Sequence, residues 1–231
     1  MTYPKVVLIV GTGGQAHAEL PAARKLTLRD GTRILVRPIL PQDKDRLREG
    51  FALLSQASRY RRFMTSLGAL SDEQLRYLTE IDYADHMAWV ALDPAQPAHP
   101  GLGIARYIRL AEDPTAAEAA VTVLDEQQGK GIGTILLTVL AESARAHGIQ
   151  RFRGYVLAEN TPMVAILQDL GATVAQEGSL LRVDVPIPAS AEELPDTPTG
   201  RVFKSLAKRA LPPFQLRYPG TPARAQGTPP S

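Results

Sequence analysis

Residues 121–134, VTVLDEQQGKGIGT, join an apolar, strand-like run to a glycine-rich turn and the start of an amphipathic helix. Backbone N–H groups in such a turn, together with the N-terminus of a helix, form a binding site for a phosphate anion. Glycine has no Cβ atom, so the backbone can approach the ligand closely. The spacing differs from the phosphate-binding loop of nucleotide hydrolases, because no Gly-Lys-Ser/Thr follows a four-residue gap. The sequence therefore predicts a phosphate-bearing ligand of another class at this turn.

The composition is that of a chain with an ordinary hydrophobic core. The chain has 231 residues, of which 44% are hydrophobic and 22% charged, and this length most simply gives one domain with appendages. It contains no cysteine, which excludes a disulfide, a thiolate nucleophile and a zinc–thiolate site. No apolar run approaches the length of a membrane span. We expect a cytoplasmic protein that binds no membrane.

The charge is distributed unevenly along the chain. Residues 201–231 hold six basic residues and no acid, which leaves 20 basic against 24 acidic residues in the first 200. The main body is therefore slightly acidic, and we expect no nucleic-acid partner. Ten of the 19 prolines lie in residues 186–231. We expect residues 187–231 to form a largely disordered, proline-rich basic tail, with Val202–Leu211 as a possible single helix.

The first 27 residues allow two interpretations. Lys5–Val10 reads as a buried strand, and the following segment matches the Gly-x-Gly-x-x-Ala pattern of dinucleotide-binding folds. Pro21 interrupts the helix that this pattern requires, and the next strand ends at Arg37 rather than at an acid. We therefore expect residues 1–27 to be a leader or an additional strand.

From Leu28 onward the hydrophobic spacing predicts a regular order of elements. A hairpin turns at Asp30-Gly31, and two helices follow, the first capped by Asp43 and the second by Ser71. Three strands then lead into the glycine-rich turn, followed by a helix, a strand, a short helix capped by Asn160 and a closing hairpin.

This order, and several phrases in the sequence, resemble the GCN5-related N-acetyltransferase (GNAT) superfamily over residues 28–186. The phrases DGTRILVRPILPQD, SRYRRFM, LTEIDYADHMAWVALD and AAEAAVTVLDEQQGKGIGTILL resemble its bacterial protein-lysine acetyltransferase branch. The resemblance implies an α/β (α+β) fold, in which a mixed central sheet has flanking helices and strands that splay apart at the acetyl-coenzyme A site. It also implies transfer of an acetyl group from acetyl-coenzyme A, without a metal, to an amine.

The resemblance assigns a cofactor role to a defined set of residues. The strand residues that pair with the pantetheine arm are Ala120, Val121, Thr122 and Val123. The residues that hold the pyrophosphate are Gln128, Gly129, Lys130, Gly131, Ile132, Gly133 and Thr134, and Asn160 hydrogen-bonds the cofactor arm. Two of these have simpler alternatives, because Asn160 can be a plain helix cap and Lys130 a solvated loop residue.

Glu118 is the candidate catalytic residue. A lysine ammonium has a pKa of about 10.4 and must lose a proton before it attacks a thioester. The matching glutamate of the lysine-acetyltransferase branch is a general base, and burial among small apolar neighbours would raise the pKa of Glu118 toward a useful range. The alternatives are a solvated strand residue and an acid that binds a basic substrate. A backbone N–H near Val121 or Thr122 is expected to stabilise the oxyanion.

A tyrosine that protonates the leaving thiolate in many relatives is missing from its expected place. Leu167 occupies that position, so the resemblance favours a lone general base. Tyr155 can substitute only if its side chain faces the gap between the strands, which spacing does not decide.

Three functions remain open at this level. The acceptor is a protein lysine, for example on an acyl-CoA synthetase, or a small amine, or the domain is a non-catalytic acetyl-coenzyme A sensor. The basic cluster of Arg59, Arg61 and Arg62 is interpreted as a helix end whose aromatic neighbours pack inward. The four histidines are scattered and lack the spacing of metal ligands. Nothing in the sequence indicates the oligomeric state.

Overall fold

A mixed sheet forms the centre of the computed structural model, which describes residues 20–63 and 67–208. The order of its eight strands within these ranges is β1-β2-β3-β4-β5-β6-β8-β7. The strands are β1 (Arg24–Thr27), β2 (Arg33–Pro38), β3 (His86–Leu92), β4 (Gly103–Leu110), β5 (Asp113–Val123), β6 (Arg151–Leu157), β7 (Thr173–Glu177) and β8 (Leu180–Pro186). Every neighbouring pair is antiparallel except β5 and β6, which are parallel.

Six helices flank the sheet in the same ranges. They are α1 (Lys44–Leu53), α2 (Gln56–Phe63), α3 (Asp72–Thr79), α4 (Ile132–Ala146), α5 (Thr161–Asp169) and α6 (Pro198–Lys208). In the part of the chain that the structure describes, no helix has the length and apolar character needed to cross a bilayer.

The two faces of the sheet carry separate hydrophobic clusters. The larger one packs α4, through side chains such as Leu136 and Leu140, against strands β2 to β6. The smaller one joins α1 and α3 around Phe51 and Leu75, and Leu124 packs against it from the end of β5. Strand β5 serves both clusters, because its side chains alternate between the two faces of the sheet.

The sheet begins before Leu28. Strand β1 pairs with β2 from Arg24 opposite Val36 to Thr27 opposite Arg33, and Gly31 in the connecting turn has a φ of 87°. The predicted turn at Asp30-Gly31 is confirmed, and part of the segment predicted as a leader or additional strand is a strand of the sheet. The predicted strand Lys5–Val10 lies outside the described residues.

One helix cap is confirmed and one is wrong. Ser71 accepts the backbone N–H of Gln74, whose side chain accepts the N–H of Ser71, as predicted. Asp43 makes no side-chain cap to α1. Its carboxylate instead accepts two hydrogen bonds from the guanidinium of Arg37, at 2.6 and 2.7 Å, and both residues are buried. A charge-assisted bidentate pair in a desolvated site competes successfully with a local cap.

The first half of the predicted tail departs from expectation. Helix α6 lies at Pro198–Lys208, with Phe203 buried and Leu206 packed against the larger cluster. Thr199 also donates a hydrogen bond of 2.7 Å to the carboxylate of Asp169 at the end of α5. Residues 187–208 therefore continue the packed structure, and residues 209–231 lie beyond the described part.

We expect Asp43→Ala to lower the free energy of unfolding by about 3–5 kcal/mol, because it leaves the Arg37 guanidinium buried without its partner. The control is Asp72→Ala, which removes an exposed carboxylate 2.9 Å from Arg48 and is expected to leave the free energy of unfolding nearly unchanged, because water screens an exposed pair. Urea denaturation of both variants measures the difference. Equal losses for the two variants would contradict a stabilising role for the buried pair.

Candidate functional site

Strands β5 and β6 separate immediately after Glu118. Their parallel ladder contains only Ala116 opposite Arg151, Ala117 opposite Phe152, and Glu118 opposite Arg153. Beyond this point β5 stays paired with β4 as far as Val123, and β6 stays paired with β8 as far as Leu157. The predicted splay is therefore confirmed, and a wedge-shaped gap opens between residues 119–123 and residues 154–157.

The backbone direction along β5 selects between the two candidate oxyanion donors. The carbonyl oxygen of Thr122 points toward β4, since it would lie only 2.9 Å from a Cβ atom added to Gly103 of that strand. The backbone N–H and C=O groups of Thr122 therefore face β4. The carbonyl of Val123 faces the other way and accepts a hydrogen bond of 3.2 Å from the Gln128 side chain. Because backbone groups alternate along a strand, the N–H of Val121 faces the gap and that of Thr122 does not.

The glycine-rich turn has the geometry of an anion site. Gly129 and Gly131 adopt positive φ values of 76° and 86°, which glycine adopts without steric cost. The first intrahelical bond of α4 runs from the N–H of Ile135 to the carbonyl of Gly131, at 3.1 Å. The N–H groups of residues 132–134 therefore have no acceptor within the helix. Their direction and the positive end of the helix dipole favour a phosphate.

The side chains of the turn brace the loop itself. Lys130 is exposed and donates a hydrogen bond of 2.9 Å to the side chain of Gln127. Gln128 holds the end of β5 through the Val123 carbonyl. Both side chains therefore contact protein groups here, and the backbone supplies the donors for an anion.

Asp125 connects this loop to helix α2. Its carboxylate accepts hydrogen bonds from the backbone N–H of Ser55 at 3.0 Å, from the Ser55 hydroxyl at 3.1 Å and from the Ser58 hydroxyl at 2.7 Å. These bonds, led by the one from the Ser55 N–H, lower the pKa of Asp125. The N-terminus of α2 is thus fixed to the turn that precedes the anion site.

Asn160 lies across the gap, at the N-terminus of α5. It occupies the cap position, but its side chain makes no capping hydrogen bond, so the expected side-chain cap is wrong. A cavity of about 290 Å³ adjoins it, lined by Ala57, Tyr60, Arg61, Leu157, Glu159 and Asn160. The cavity therefore lies between α2 and the outer end of β6.

Glu118 is exposed, so its expected burial is wrong. The alternation of the strand explains the difference, because the side chains of Ala117 and Ala119 pack into the larger cluster on the opposite face. Glu118 shares its face of the sheet with Thr122 and projects toward the side of α1 to α3. Its small neighbours in sequence are not its neighbours in space.

Three ionisable side chains interact electrostatically with Glu118. Arg62 comes from α2, Tyr77 from α3 and Tyr155 from β6. Because Arg153 pairs with Glu118, Tyr155 two residues later lies on the same face of the sheet as Glu118. Burial is the main cause that raises the pKa of Tyr155, with Glu177 contributing next.

The three clustered arginines have three different environments. Arg59 packs on the ring of Phe51 at 5.0 Å and donates to the carbonyls of Leu54 and Ala52. Arg61 lines the cavity beside Asn160, and Arg62 interacts electrostatically with Glu118. Tyr60 is 45% exposed, so the expectation that it packs inward is wrong. The helical spacing of residues 57, 60 and 61 is the signal that groups them on the cavity side.

A buried polar pair stands beneath α3. Arg106 donates to the ring Nε2 of His86 at 2.6 Å and to the carbonyl of Leu78 at 2.9 Å. Burial, and secondarily the charge of Arg62, lower the pKa of Arg106 to about 9. Burial, and secondarily the charge of Arg106, lower the pKa of His86 to about 3. His86 is therefore neutral and accepts the hydrogen bond from the guanidinium.

Metal-ligating side chains do not gather at the site. Across residues 20–63 and 67–208, no group of three or more histidine or acidic side chains has a geometry that could hold a metal ion. The donors that the site presents include backbone N–H groups, the amide of Asn160 and the guanidinium of Arg61.

Comparisons with known proteins identify the fold. A family model described as an acetyltransferase (GNAT) domain matches residues 33–173. An acetyltransferase Pat from Mycolicibacterium smegmatis is 40% identical over 162 residues, covering 69% of this chain and 48% of the relative. An acetyltransferase PA5475 from Pseudomonas aeruginosa is 34% identical over 145 residues, covering 63% of this chain and 77% of the relative.

A solved structure agrees with the sequence matches. The GNAT domain of S. lividans PAT superposes with a TM-score of 0.65 at 30% identity, over 71% of this chain and 96% of that chain. The expected α/β fold is confirmed. This chain spans about half the length of the M. smegmatis relative that it matches.

The buried His86 makes stability depend on pH in a defined direction. Its pKa is about 3 in the folded chain against an ordinary 6.5, so the unfolded chain takes up the proton first as the pH falls. The stability from neutral His86 is complete above pH 6.5 and is lost between pH 6.5 and 3. At about 1.4 kcal/mol per pH unit, the loss is about 2 kcal/mol at pH 5.

We therefore expect His86→Gln to flatten the pH dependence of the unfolding free energy between pH 7 and 5, measured by urea denaturation at each pH. Comparison of the two proteins at pH 8 separates this effect from any constant loss of packing. A variant that retains the slope of the parent would show that other groups set the acid sensitivity.

Proposed function

The chain belongs to the GNAT acetyltransferase family, and on that premise we propose that it transfers an acetyl group from acetyl-coenzyme A to an amine. The observation that carries the proposal is the gap between β5 and β6, which ends at Glu118 and opens next to the anion site of residues 128–134. A ligand with a thioester at one end and a pyrophosphate further along fits this arrangement of backbone donors and helix terminus.

The donor is held by backbone groups in this proposal. The unpaired edge of β5 at residues 120–123 pairs with the pantetheine arm as an added strand would. The N–H groups of residues 129–134 bind the pyrophosphate, and the side chain of Asn160, which makes no capping bond, donates to the arm from the opposite wall.

Glu118 and Val121 supply the chemistry in this arrangement. The carboxylate of Glu118, directly or through water, accepts a proton from the acceptor ammonium and releases a neutral amine. The amine nitrogen attacks the thioester carbon, and the N–H of Val121, which faces the gap, stabilises the oxyanion. The carbon–sulfur bond then breaks, and the thiolate of coenzyme A takes up the proton that the attacking nitrogen loses as the amide forms.

We propose a protein lysine ε-amino group as the acceptor. Tyr60, which lines the cavity beside Asn160, is 45% exposed, and Leu53 at the end of α1 is 57% exposed. Exposed apolar side chains near a site are typical of a surface that docks a macromolecule. An acyl-CoA synthetase is the first acceptor to test, and a small amine is the second candidate. The lack of cysteine agrees with a cytoplasmic location.

Glu118→Gln tests the assigned base. We expect turnover to fall about 10²- to 10⁴-fold, because a neutral amide cannot accept the proton. The affinity for acetyl-coenzyme A is expected to change less than about threefold, because the proposed contacts to the donor are backbone groups and Asn160. Steady-state kinetics and calorimetry measure the two quantities. Glu126→Gln, in the exposed turn before the loop, is the matched control with unchanged turnover.

Two outcomes would overturn parts of this proposal. Full turnover by the Glu118 variant would remove the general-base assignment. A mass-spectrometric screen with acetyl-coenzyme A, against whole-cell protein and a panel of small amines, separates the two acceptor classes. Acetylation of small amines alone would contradict the protein acceptor.

A further inference from the structure

A second cavity lies on the face of the sheet that Glu118 shares, between α1 to α3 and strands β3 to β5. It has a volume of about 100 Å³, which is about two-thirds of an apolar cavity of ~150 Å³ that takes up benzene. Most of its wall is aliphatic or aromatic. Its apolar lining includes Leu78 from α3, Val90 from β3, Ile104 from β4 and Leu124 after β5.

The charged residues of this wall are unbalanced. Three arginines, Arg46, Arg62 and Arg106, line the cavity together with one aspartate, Asp43. That aspartate is bonded by both nitrogens of the Arg37 guanidinium and lies 3.9 Å from Arg46, and Arg62 interacts electrostatically with Glu118. With Arg37 and Glu118 included, four guanidinium groups stand against two carboxylates. The cavity therefore has an apolar wall and an excess of positive charge, which disfavours an ammonium group and favours an anion.

Arg106 is the buried cation that most favours an anion in this cavity. It is 5% exposed, and its hydrogen bonds go to the neutral ring of His86 and to the Leu78 carbonyl. Within residues 20–63 and 67–208, no carboxylate lies within ion-pair distance of it. A buried guanidinium bonded only to neutral acceptors keeps a large part of its charge uncompensated. An anion that enters the cavity would complete this site.

The cavity and the gap are neighbours across one strand. Thr122 lines the cavity, and the N–H of Val121 faces the gap. Ala120 stands opposite Arg106 in the β4–β5 ladder and shares the face of Thr122. Its side chain is a single methyl group, so the path over β5 from the predicted position of the thioester to Arg106 passes a small residue.

We propose that this cavity receives the distal carboxylate of an acyl donor, so that the protein accepts dicarboxylic acyl-coenzyme A thioesters such as succinyl-coenzyme A. The inference rests on the proposed function, because it extends the donor of the same site. Two methylene groups and a carboxylate, five non-hydrogen atoms, match the volume and the polarity of the cavity. The guanidinium groups of Arg62 and Arg106 face the carboxylate.

The transfer step is unchanged by the longer acyl group. The amine nitrogen forms a bond to the thioester carbon, the carbon–sulfur bond breaks, and the products are an N-succinyl amide and coenzyme A. The distal carboxylate stays ionised and takes no part in bond making. No oxidant or additional reactant is required.

Equilibrium binding tests the proposal without knowledge of the acceptor. Butyryl-coenzyme A is the matched ligand, because it has a methyl group where succinyl-coenzyme A has the carboxylate. We expect calorimetry on the full chain to give at least tenfold tighter binding of succinyl- than of butyryl-coenzyme A. Arg62→Gln is expected to reduce this preference to threefold or less, and Arg62→Lys to retain most of it. Arg61→Gln, one residue away but facing the other cavity, is expected to leave the preference unchanged.

The affinity of each variant for butyryl-coenzyme A is the internal control, because it reports on folding and on the coenzyme A contacts. Equal affinity for the two thioesters in the parent, or equal loss of preference in the Arg61 and Arg62 variants, would overturn the proposal. Acetyl transfer by a parent protein that does not prefer succinyl-coenzyme A would leave the proposed function standing and remove this inference alone. Absence of binding by succinyl- and butyryl-coenzyme A, and by acetyl-coenzyme A in the same assay, would remove the proposed function as well.

Discussion

The separation of β5 from β6 after the Glu118–Arg153 pair is the constraint on which the rest of the site depends. Backbone groups inside a sheet normally have partners, and a run of unpaired N–H and C=O groups is costly unless water or a ligand satisfies them. The gap places such groups between two anchored strands, since β5 remains paired with β4 and β6 with β8. Both walls of the wedge are therefore held by their outer neighbours, an arrangement that lowers the ordering cost of binding.

Helix α2 links the donor side of this wedge to the acceptor side. Asp125 attaches its N-terminus to the turn before the glycine-rich loop, through three hydrogen bonds. Its second half then places Tyr60 and Arg61 at the cavity beside Asn160, and Arg62 interacts electrostatically with Glu118. The position of the glycine-rich loop thus determines where Tyr60, Arg61 and Arg62 lie around the gap.

Local features were predictable from the sequence, and features set by distant contacts were not. The glycines of the loop and the Ser71 cap act within a few residues, so their patterns predict them directly. The local sequence predicts a cap at Asp43, because its partner Arg37 comes from another element and only the fold brings the two together. The burial of Glu118 was expected from its neighbours in sequence, yet strand alternation directs those neighbours to the opposite face. The sequence predicts only part of helix α6, because its packing against α4 and α5 depends on tertiary contacts that composition does not encode.

The central claim is that the donor lies along β5 and over the N-terminus of α4. Backbone amide NMR of the labelled full chain, titrated with acetyl-coenzyme A, tests it most directly. The account predicts saturable chemical-shift changes that are largest at the amides of Val121 and Val123 and of residues 129–134, with smaller changes elsewhere in the sheet. Saturable shifts that leave β5 and the loop unchanged, or no saturable shifts at all, would contradict it.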